Sequence, residues 1–217
     1  MRSSPRAVTA ARGTEVGARL FCVHIDELRE SDVSRLSDAR LAKADRFLRE
    51  RDRRLSLAAG VALDRGLCDY GLCEKDVELA VAPGGKPYFP EHPEVNFSLS
   101  HAGRLAVAAF SDVEVGVDVE PPHKVNWRLV ERRFHAEEIV DLRASADPDR
   151  DFTRLWTCKE SYLKAMGTGL SAGLSTFCVL LGENGAQLSD SLWALEERRE
   201  YDHFIAITTK ARVPQKP

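Results

Sequence analysis

The chain has 217 residues, of which 43% are hydrophobic and 30% are charged, with a formal net charge of −3. This length suits one large domain or two small ones, and the composition is that of a globular protein with a real core. The slightly acidic balance argues against a nucleic-acid binder, and no apolar run approaches the roughly 20 residues that a membrane span requires. We therefore expect neither nucleic acid nor a membrane among its partners.

The N-terminus and the cysteines indicate where the protein resides. The first residues, MRSSPRAVTAARG, are rich in Arg and Ser and contain no apolar signal-peptide core, so we expect residues 1–17 to form a disordered tail. The five cysteines, at 22, 68, 73, 158 and 178, include no CxxC pair. We interpret all five as buried free thiols and expect a cytoplasmic protein, because disulfides are rare in reducing compartments.

The first part of the chain predicts a strand, two helices and three strands. Residues 19–25 form an apolar strand, and Ser37 and Asp38 precede a helix. The later elements are a charged helix at 40–54, an apolar helix at 55–72, a strand at 77–82, the turn PGGKP at 83–87 and a hairpin at 96–110.

The second part predicts the same order of elements. Its segments are a strand at 113–120, helices at 126–133 and 135–144, the breaker SADPD at 145–149, a helix at 152–167 that ends at Gly167, and strands at 176–181, 191–197 and 203–209. The repeated order predicts two similar α+β halves, each a small antiparallel sheet packed with helices. We place the halves at 18–112 and 113–217.

The strand at 113–120 (VEVGVDVE) carries a candidate metal site. Its side chains alternate, which puts Asp118 and Glu120 on one face, about 7 Å apart along the strand. Two such carboxylates repel each other unless a cation lies between them, and Mg²⁺ prefers oxygen ligands. We expect Gly116, on the same face, to leave room for a ligand. The alternative is a half-buried strand with a solvated acidic face.

The helix at 152–167 presents polar groups beside an apolar stripe. Trp156, Lys159, Glu160, Leu163 and Lys164 fall on neighbouring positions. Glu160 could complete a magnesium shell, and Lys159 and Lys164 could hold phosphates. The alternative is an exposed Glu160–Lys164 ion pair with spacing i,i+4.

Ser100 and His101 end an apolar strand at a glycine-containing turn. Both side chains can donate a hydrogen bond to a phosphate. Neighbouring strand residues point apart, so His101 is not placed to activate Ser100 as in a serine hydrolase, and no G-x-S-x-G motif occurs.

Taken together, these segments resemble one known family. In chain order they are GGKPYFP at 84–90, NFSLSHAGRLAVAAF at 96–110, VGVDVE at 115–120, RRFHAEEIVDL at 132–142 and LWTCKESYLKAMGTGL at 155–170. Their order and spacing resemble those of the Sfp-type 4′-phosphopantetheinyl transferases, and the likeness extends from about residue 19 to 209. The length resembles that of the single-chain, pseudo-dimeric type, which implies a monomer with the active site between two halves.

The resemblance also implies an activity and site residues. The family moves 4′-phosphopantetheine from coenzyme A to a serine of an apo acyl or peptidyl carrier protein of a polyketide, peptide or fatty-acid synthase. It implies Mg²⁺, or Mn²⁺ in its place, on Asp118, Glu120 and Glu160. It implies coenzyme A contacts by Lys86 and Pro87 at the adenine, by Ser100, His101 and Lys164 at the phosphates, and by Arg40, Lys43 and Ser56 at the 3′-phosphate. Arg53 and Arg54 are alternative ligands for the 3′-phosphate.

The implied chemistry places the nucleophile outside this chain. The serine of the carrier protein attacks the β-phosphorus of coenzyme A, and either Glu160 or Glu138 accepts its proton. Glu138 corresponds to a glutamate that closes the site. Two other functions are weighed against this one: a non-catalytic coenzyme A-binding relative of the same fold, and a nucleic-acid-binding module built on the basic helix at 40–54.

Overall fold

The computed structural model describes residues 12–13, 17–169, 173–182 and 185–211. Its helices are α1 Glu30–Val33, α2 Asp38–Ala44, α3 Glu50–Leu67, α4 Trp127–Arg133, α5 Ala136–Ala144 and α6 Pro148–Met166. Its strands are β1 Arg12–Gly13, β2 Arg19–His24, β3 Ala80–Val81, β4 Pro87–Tyr88, β5 Asn96–Ala102, β6 Leu105–Ser111, β7 Val115–Glu120, β8 Val179–Gly182, β9 Gly185–Leu188, β10 Trp193–Glu200 and β11 His203–Lys210. Within these residues, no helix has the length and apolarity needed to cross a bilayer.

Two small antiparallel sheets organise the fold. One has the strand order β1-β2-β6-β5, and the other has the order β10-β11-β7. In both, the strand before the long helix pairs with the second strand of the hairpin that comes after it: β2 pairs with β6, and β7 pairs with β11. The long helices α3 and α6 pack on these central pairs. The two parts of the chain therefore share one β-α-β-β topology.

Three apolar clusters hold the molecule together. One lies between α3 and the first sheet, and a second packs around α6 and β8. The third lies between the two sheets and contains Val115, Val117 and Val119 of β7, as the alternating pattern predicts. The Val117 N–H also donates to Ser98 Oγ of β5 at 3.0 Å, so β5 and β7 lie side by side at the junction of the sheets.

Several predicted boundaries are wrong. The predicted basic helix at 40–54 is divided between the end of α2 and the start of α3. The chain reverses between these two helices and brings Arg40 close to Gly60, where a Cβ would lie 3.1 Å from the Arg40 side chain. The predicted breaker at 145–149 does separate α5 from α6, but α6 begins earlier than predicted, at Pro148 instead of residue 152. Asp147 caps this helix by accepting from the Arg150 N–H, and Pro148 suits the first turn.

The remaining differences concern the tail, three elements that were not predicted, and the thiols. Arg12 and Gly13 pair with β2, so these two residues of the predicted disordered tail are ordered, and the others before Gly17 lie outside the described residues. Helix α1 and strands β4 and β9 were not predicted. The structure describes all five cysteines and shows no disulfide among them, but only Cys158 and Cys178 are buried, and Cys68 is exposed.

Candidate active site

Three carboxylates lie where α6 crosses β7. Asp118 and Glu120 are on the strand, and Glu160 is on the helix. Gly116 makes this crossing close, because a Cβ there would lie 2.0 Å from the Ser161 carbonyl oxygen and 2.3 Å from the Ala165 nitrogen. The expectation that Gly116 leaves room for a ligand is therefore wrong, since the backbone of α6 fills that space.

Asp118 is buried in a polar cluster with residues from two other elements. Its Oδ1 accepts from Ser100 Oγ at 2.7 Å and from Lys164 Nζ at 2.6 Å, and Lys164 also donates to Ser100 at 2.8 Å. Its Oδ2 is buried and accepts no hydrogen bond from any residue that the structure describes. Asp118 is only 4% exposed, so the alternative of a solvated acidic face is wrong.

Glu160 of α6 faces Asp118 of β7 at this crossing, which we call the carboxylate junction. Burial raises its pKa to about 7, and the negative charge of Asp118 adds to that effect, with Lys164 opposing it. Its Oε1 is buried, and within the described ranges it has no hydrogen-bond partner. The alternative interpretation, an exposed ion pair between Glu160 and Lys164, is wrong, because Lys164 pairs with Asp118 instead.

The Glu120 carboxylate is held by the side chains of Trp156 and His123, for which the family resemblance implied no such contact. Its Oε1 accepts from Trp156 Nε1 at 3.3 Å, and its Oε2 lies 2.8 Å from His123 Nε2. The i,i+3 spacing of Glu120 and His123 was the available signal in the sequence. Both oxygens of the Glu120 carboxylate are therefore engaged.

These carboxylates fit a hard cation that is shared with a substrate. Two buried carboxylate oxygens, on Asp118 and Glu160, have no hydrogen-bond partner, which costs free energy unless a cation binds them. Among the described residues, the oxygens of Asp118, Glu120 and Glu160 do not all lie within 4.8 Å of one another. Oxygens bound to one Mg²⁺ lie at most about 4.2 Å apart, so these side chains would have to move closer together to share the ion, with water and substrate phosphate completing its shell.

Binding of Mg²⁺ should depend on pH through Glu160. Because a carboxyl with a pKa of about 7 must lose its proton to ligate, affinity should fall about tenfold between about pH 8 and about pH 6. Titration calorimetry in two buffers of different ionisation enthalpy would measure the released proton. The Glu160→Gln variant should release none, and an identical proton release from this variant would refute the assignment.

A group of cationic side chains from the first part of the chain lies beside the junction. Desolvation lowers the pKa of His101, and the nearby charges of Lys164, Lys43 and Arg40 lower it further. Arg40 and Lys43 line a cleft of about 470 Å³ that also includes Lys75 and Phe89. Glu74 and Glu78 also line this cleft, and Glu74 Oε1 accepts from Arg40 Nε at 3.0 Å, so the acids offset much of the positive charge. The small net positive charge that remains is suited to an anion.

The other predicted ligands of the 3′-phosphate are not among the residues that line this cleft. Ser56 is buried in α3 and does not line this cleft. Arg53 pairs with Asp45, and Arg54 donates to the Ile25 carbonyl. Of the basic side chains at 40–54, only Arg40 is buried, whereas Lys43, Arg46, Arg49 and Arg51 are exposed.

The GKP turn closes a second cavity, of about 240 Å³, lined by both parts of the chain. Lys86 and Pro87 lie on one side, and Glu160 and Lys164 lie on the other. Lys86 Nζ donates to the carbonyls of Val115 at 2.9 Å and Ala165 at 3.0 Å, and burial lowers its pKa to about 8. The turn is thus fastened to β7 and α6 beside the carboxylates.

Lys159 and Glu138 lie elsewhere than predicted. Lys159 is 0% exposed, and its Nζ donates to Glu138 Oε1 at 2.5 Å and to the Phe177 carbonyl at 2.9 Å. Glu138 is 1% exposed and also accepts from the His135 and Val179 N–H groups. In α6, positions 159 and 164 are about 140° apart around the axis, so only Lys164 faces the junction. The structure thus contradicts a direct role of Lys159 with phosphate and of Glu138 as a base.

Comparisons with known proteins agree with the sequence resemblance. Residues 114–208 match the family model of the 4′-phosphopantetheinyl transferase superfamily. The chain is 32% identical over 175 residues to the 4′-phosphopantetheinyl transferase Sfp of Bacillus subtilis (strain 168), which covers 77% of this chain and 78% of that protein. It is 31% identical over 186 residues to the 4′-phosphopantetheinyl transferase HetI of Nostoc sp. (strain PCC 7120), covering 81% and 78%.

A solved structure gives a weaker match. The crystal structure of Thermotoga maritima holo-[acyl-carrier-protein] synthase aligns with a TM-score of 0.40 and 20% identity, covering 46% of this chain and 64% of that one. The sequence matches carry the assignment. The chain belongs to the Sfp-type 4′-phosphopantetheinyl transferases, and it is a transferase enzyme of that family.

Proposed function

We propose that the enzyme transfers 4′-phosphopantetheine from coenzyme A to a serine of an apo carrier protein and leaves 3′,5′-ADP. The observation that carries this proposal is the set of unpartnered buried carboxylate oxygens on Asp118 and Glu160, beside a group of cationic side chains. A pyrophosphate needs positive charge on both sides, which a divalent cation and these side chains would supply.

Each residue of the junction has a role in this proposal. Asp118, Glu120 and Glu160 would hold Mg²⁺, which neutralises charge on the pyrophosphate oxygens when it is bound. Lys164, held by Ser100 and Asp118, would contact the same phosphates. Arg40, Lys43 and His101 would bind the 3′-phosphate.

Glu160 is the better candidate for the general base. The carrier serine must lose its proton as its oxygen attacks the β-phosphorus of coenzyme A, and a pKa of about 7 suits a base that works near neutral pH. Glu138, the alternative, is enclosed by Lys159 and backbone N–H groups. The chain itself contributes position and charge, as is usual in phosphoryl-type transfers.

Two features of the architecture support a single-chain pseudo-dimer. The same β-α-β-β topology occurs before and after residue 112, and the two sheets meet at β5 and β7. In this proposal, 18–112 binds the nucleotide, 113–217 supplies the metal ligands, and the chain acts as a cytoplasmic monomer. Its partners would be carrier proteins of polyketide, peptide or fatty-acid synthases.

The Lys86→Ala variant should raise KM for coenzyme A more than it lowers turnover. Lys86 lines the cavity near Glu160, and its loss would release the GKP turn from the Val115 and Ala165 carbonyls. Steady-state kinetics with varied coenzyme A would measure this. The surface variant Lys210→Ala, which loses an exposed ion pair with Glu114, is the control. An unchanged KM in Lys86→Ala would refute the role of the turn.

The direct test of the proposed function is intact mass spectrometry of several apo carrier proteins after incubation with the enzyme, coenzyme A and Mg²⁺. A mass gain of one phosphopantetheine group, lost on addition of EDTA, is the expected result. If no carrier gains mass and coenzyme A does not bind, the proposal is wrong. Tight coenzyme A binding without transfer to any carrier would instead favour the non-catalytic relative.

A further inference from the structure

A second cluster of metal-ligating groups lies at the start of α5, apart from the carboxylate junction. A ring nitrogen of His135, a carboxylate oxygen of Glu137 and the sulfur of Cys178 all lie within 4.8 Å of one another. Cys178 Sγ is 3.8 Å from Glu137 Oε2, with the thiol as donor. None of these three side chains has a role in the proposed transfer.

The backbone that carries these side chains is fixed by buried hydrogen bonds. The carboxylate of Glu138 accepts from the His135 N–H at 2.9 Å and from the Val179 N–H at 2.7 Å, so it joins the two segments. Two hydrogen bonds with Ser189 also hold Cys178. The Cys178 N–H donates to Ser189 Oγ at 3.0 Å, and the Ser189 N–H donates to the Cys178 carbonyl at 2.9 Å. Ligands on fixed segments need little reorganisation to bind a metal ion.

We propose that His135, Glu137 and Cys178 bind a divalent cation that accepts thiolate, with Zn²⁺ as the reference ion. On binding, the Cys178 thiol releases its proton to solvent, and the cation takes the place of that proton between sulfur and carboxylate. A tetrahedral zinc ion with ordinary bond lengths separates a sulfur and an oxygen ligand by roughly 3.6 Å, close to the observed spacing. Water would complete the shell.

The environment of the cluster favours this ion over Mg²⁺. One sulfur and one imidazole nitrogen are soft or borderline donors, which suit Zn²⁺, whereas Mg²⁺ prefers oxygen alone. Cys178 is buried, His135 is partly exposed and Glu137 is exposed, so one side opens to solvent. His135 Nδ1 is engaged only by a long 3.4 Å contact from the Glu137 N–H. The sequence did not predict this site, because Cys178 is far from the other two ligands along the chain.

Titration of the reduced, full-length protein with Co²⁺ tests the proposal through the thiolate-to-cobalt charge-transfer absorption. One equivalent of Co²⁺ should give this band in the wild type, and Zn²⁺ should displace it. Cys178→Ser should abolish the band. Glu137→Gln, at an exposed position, and His135→Asn, which keeps a helix-capping side chain, should each weaken Co²⁺ binding at least about tenfold.

Two controls locate the ion. Cys73→Ser removes a thiol in the first part of the chain and should leave the band unchanged. Asp118→Asn alters the proposed magnesium site and should also leave it unchanged. The proposal is overturned if saturating Co²⁺ gives no thiolate band, or if Glu137→Gln and His135→Asn both bind Co²⁺ as the wild type does. It is equally overturned if a folded Cys178→Ser keeps the band.

Discussion

Replacement of Asp118 by Asn should lower turnover by roughly 10²–10³-fold or more while the protein stays folded. The amide matches the carboxylate in shape, so an oxygen can still accept from Ser100 and Lys164. It cannot supply the charge that binds Mg²⁺. Without Mg²⁺, the variant loses both the repulsion from Glu160 and the ion pair with the half-buried Lys164, so its stability should stay within about 1 kcal/mol of the wild type. Carrier modification rates and thermal unfolding with EDTA measure the two effects.

The matched control for Asp118→Asn is Glu114→Gln. Glu114 lies just before β7, is exposed and pairs with Lys210, so its neutralisation should leave turnover nearly unchanged. A folded Asp118→Asn enzyme with near-normal turnover would show that the metal assignment is wrong. A loss of turnover in Asp118→Asn with a large loss of stability in EDTA would indicate a structural role instead.

Replacement of Lys159 by Met should destabilise the protein by about 3–5 kcal/mol. The cost arises because Glu138, which is 1% exposed, would keep its charge in the interior without its cationic partner. Denaturant unfolding, read as a free energy of unfolding, measures this loss. The exposed pair of Lys210 and Glu114 is the comparison, and Lys210→Met should cost no more than about 1 kcal/mol.

A double variant separates loss of the ion pair from loss of packing. Lys159→Met combined with Glu138→Gln removes both charges and should be more stable than Lys159→Met alone, by about 0.5–3 kcal/mol. The folded fraction of Lys159→Met should also keep its KM for coenzyme A, since Lys159 does not reach the junction. A raised KM with unchanged stability would restore the original prediction that Lys159 binds phosphate.

The sequence was most informative where a local pattern determines the outcome. Alternation in 113–120 predicted that the valines of β7 face a core and that Asp118 points away from them, and both follow from the pleat of a strand. Gly167 ends α6 in a left-handed conformation, with φ of 68°, as a glycine at that position predicts.

The sequence was least informative where a side chain has two physically reasonable partners. Lys159 and Lys164 are both cations on one helix, and only the packing of α5 and β8 shows that Lys159 turns inward. Gly116 could equally leave space or admit a helix, and the position of α6 decides this. The bond from His123 to Glu120 depends on how the chain turns after β7, which periodicity does not specify.

The central claim is that the carboxylates of Asp118, Glu120 and Glu160 join a divalent cation to coenzyme A. Calorimetric titration of coenzyme A into the wild type and into Asp118→Asn, each with Mg²⁺ and with EDTA, tests it most directly. The account predicts that Mg²⁺ tightens coenzyme A binding to the wild type and has little effect on the variant. Equal affinity with and without Mg²⁺ in the wild type, or an equal Mg²⁺ effect in both proteins, would contradict it.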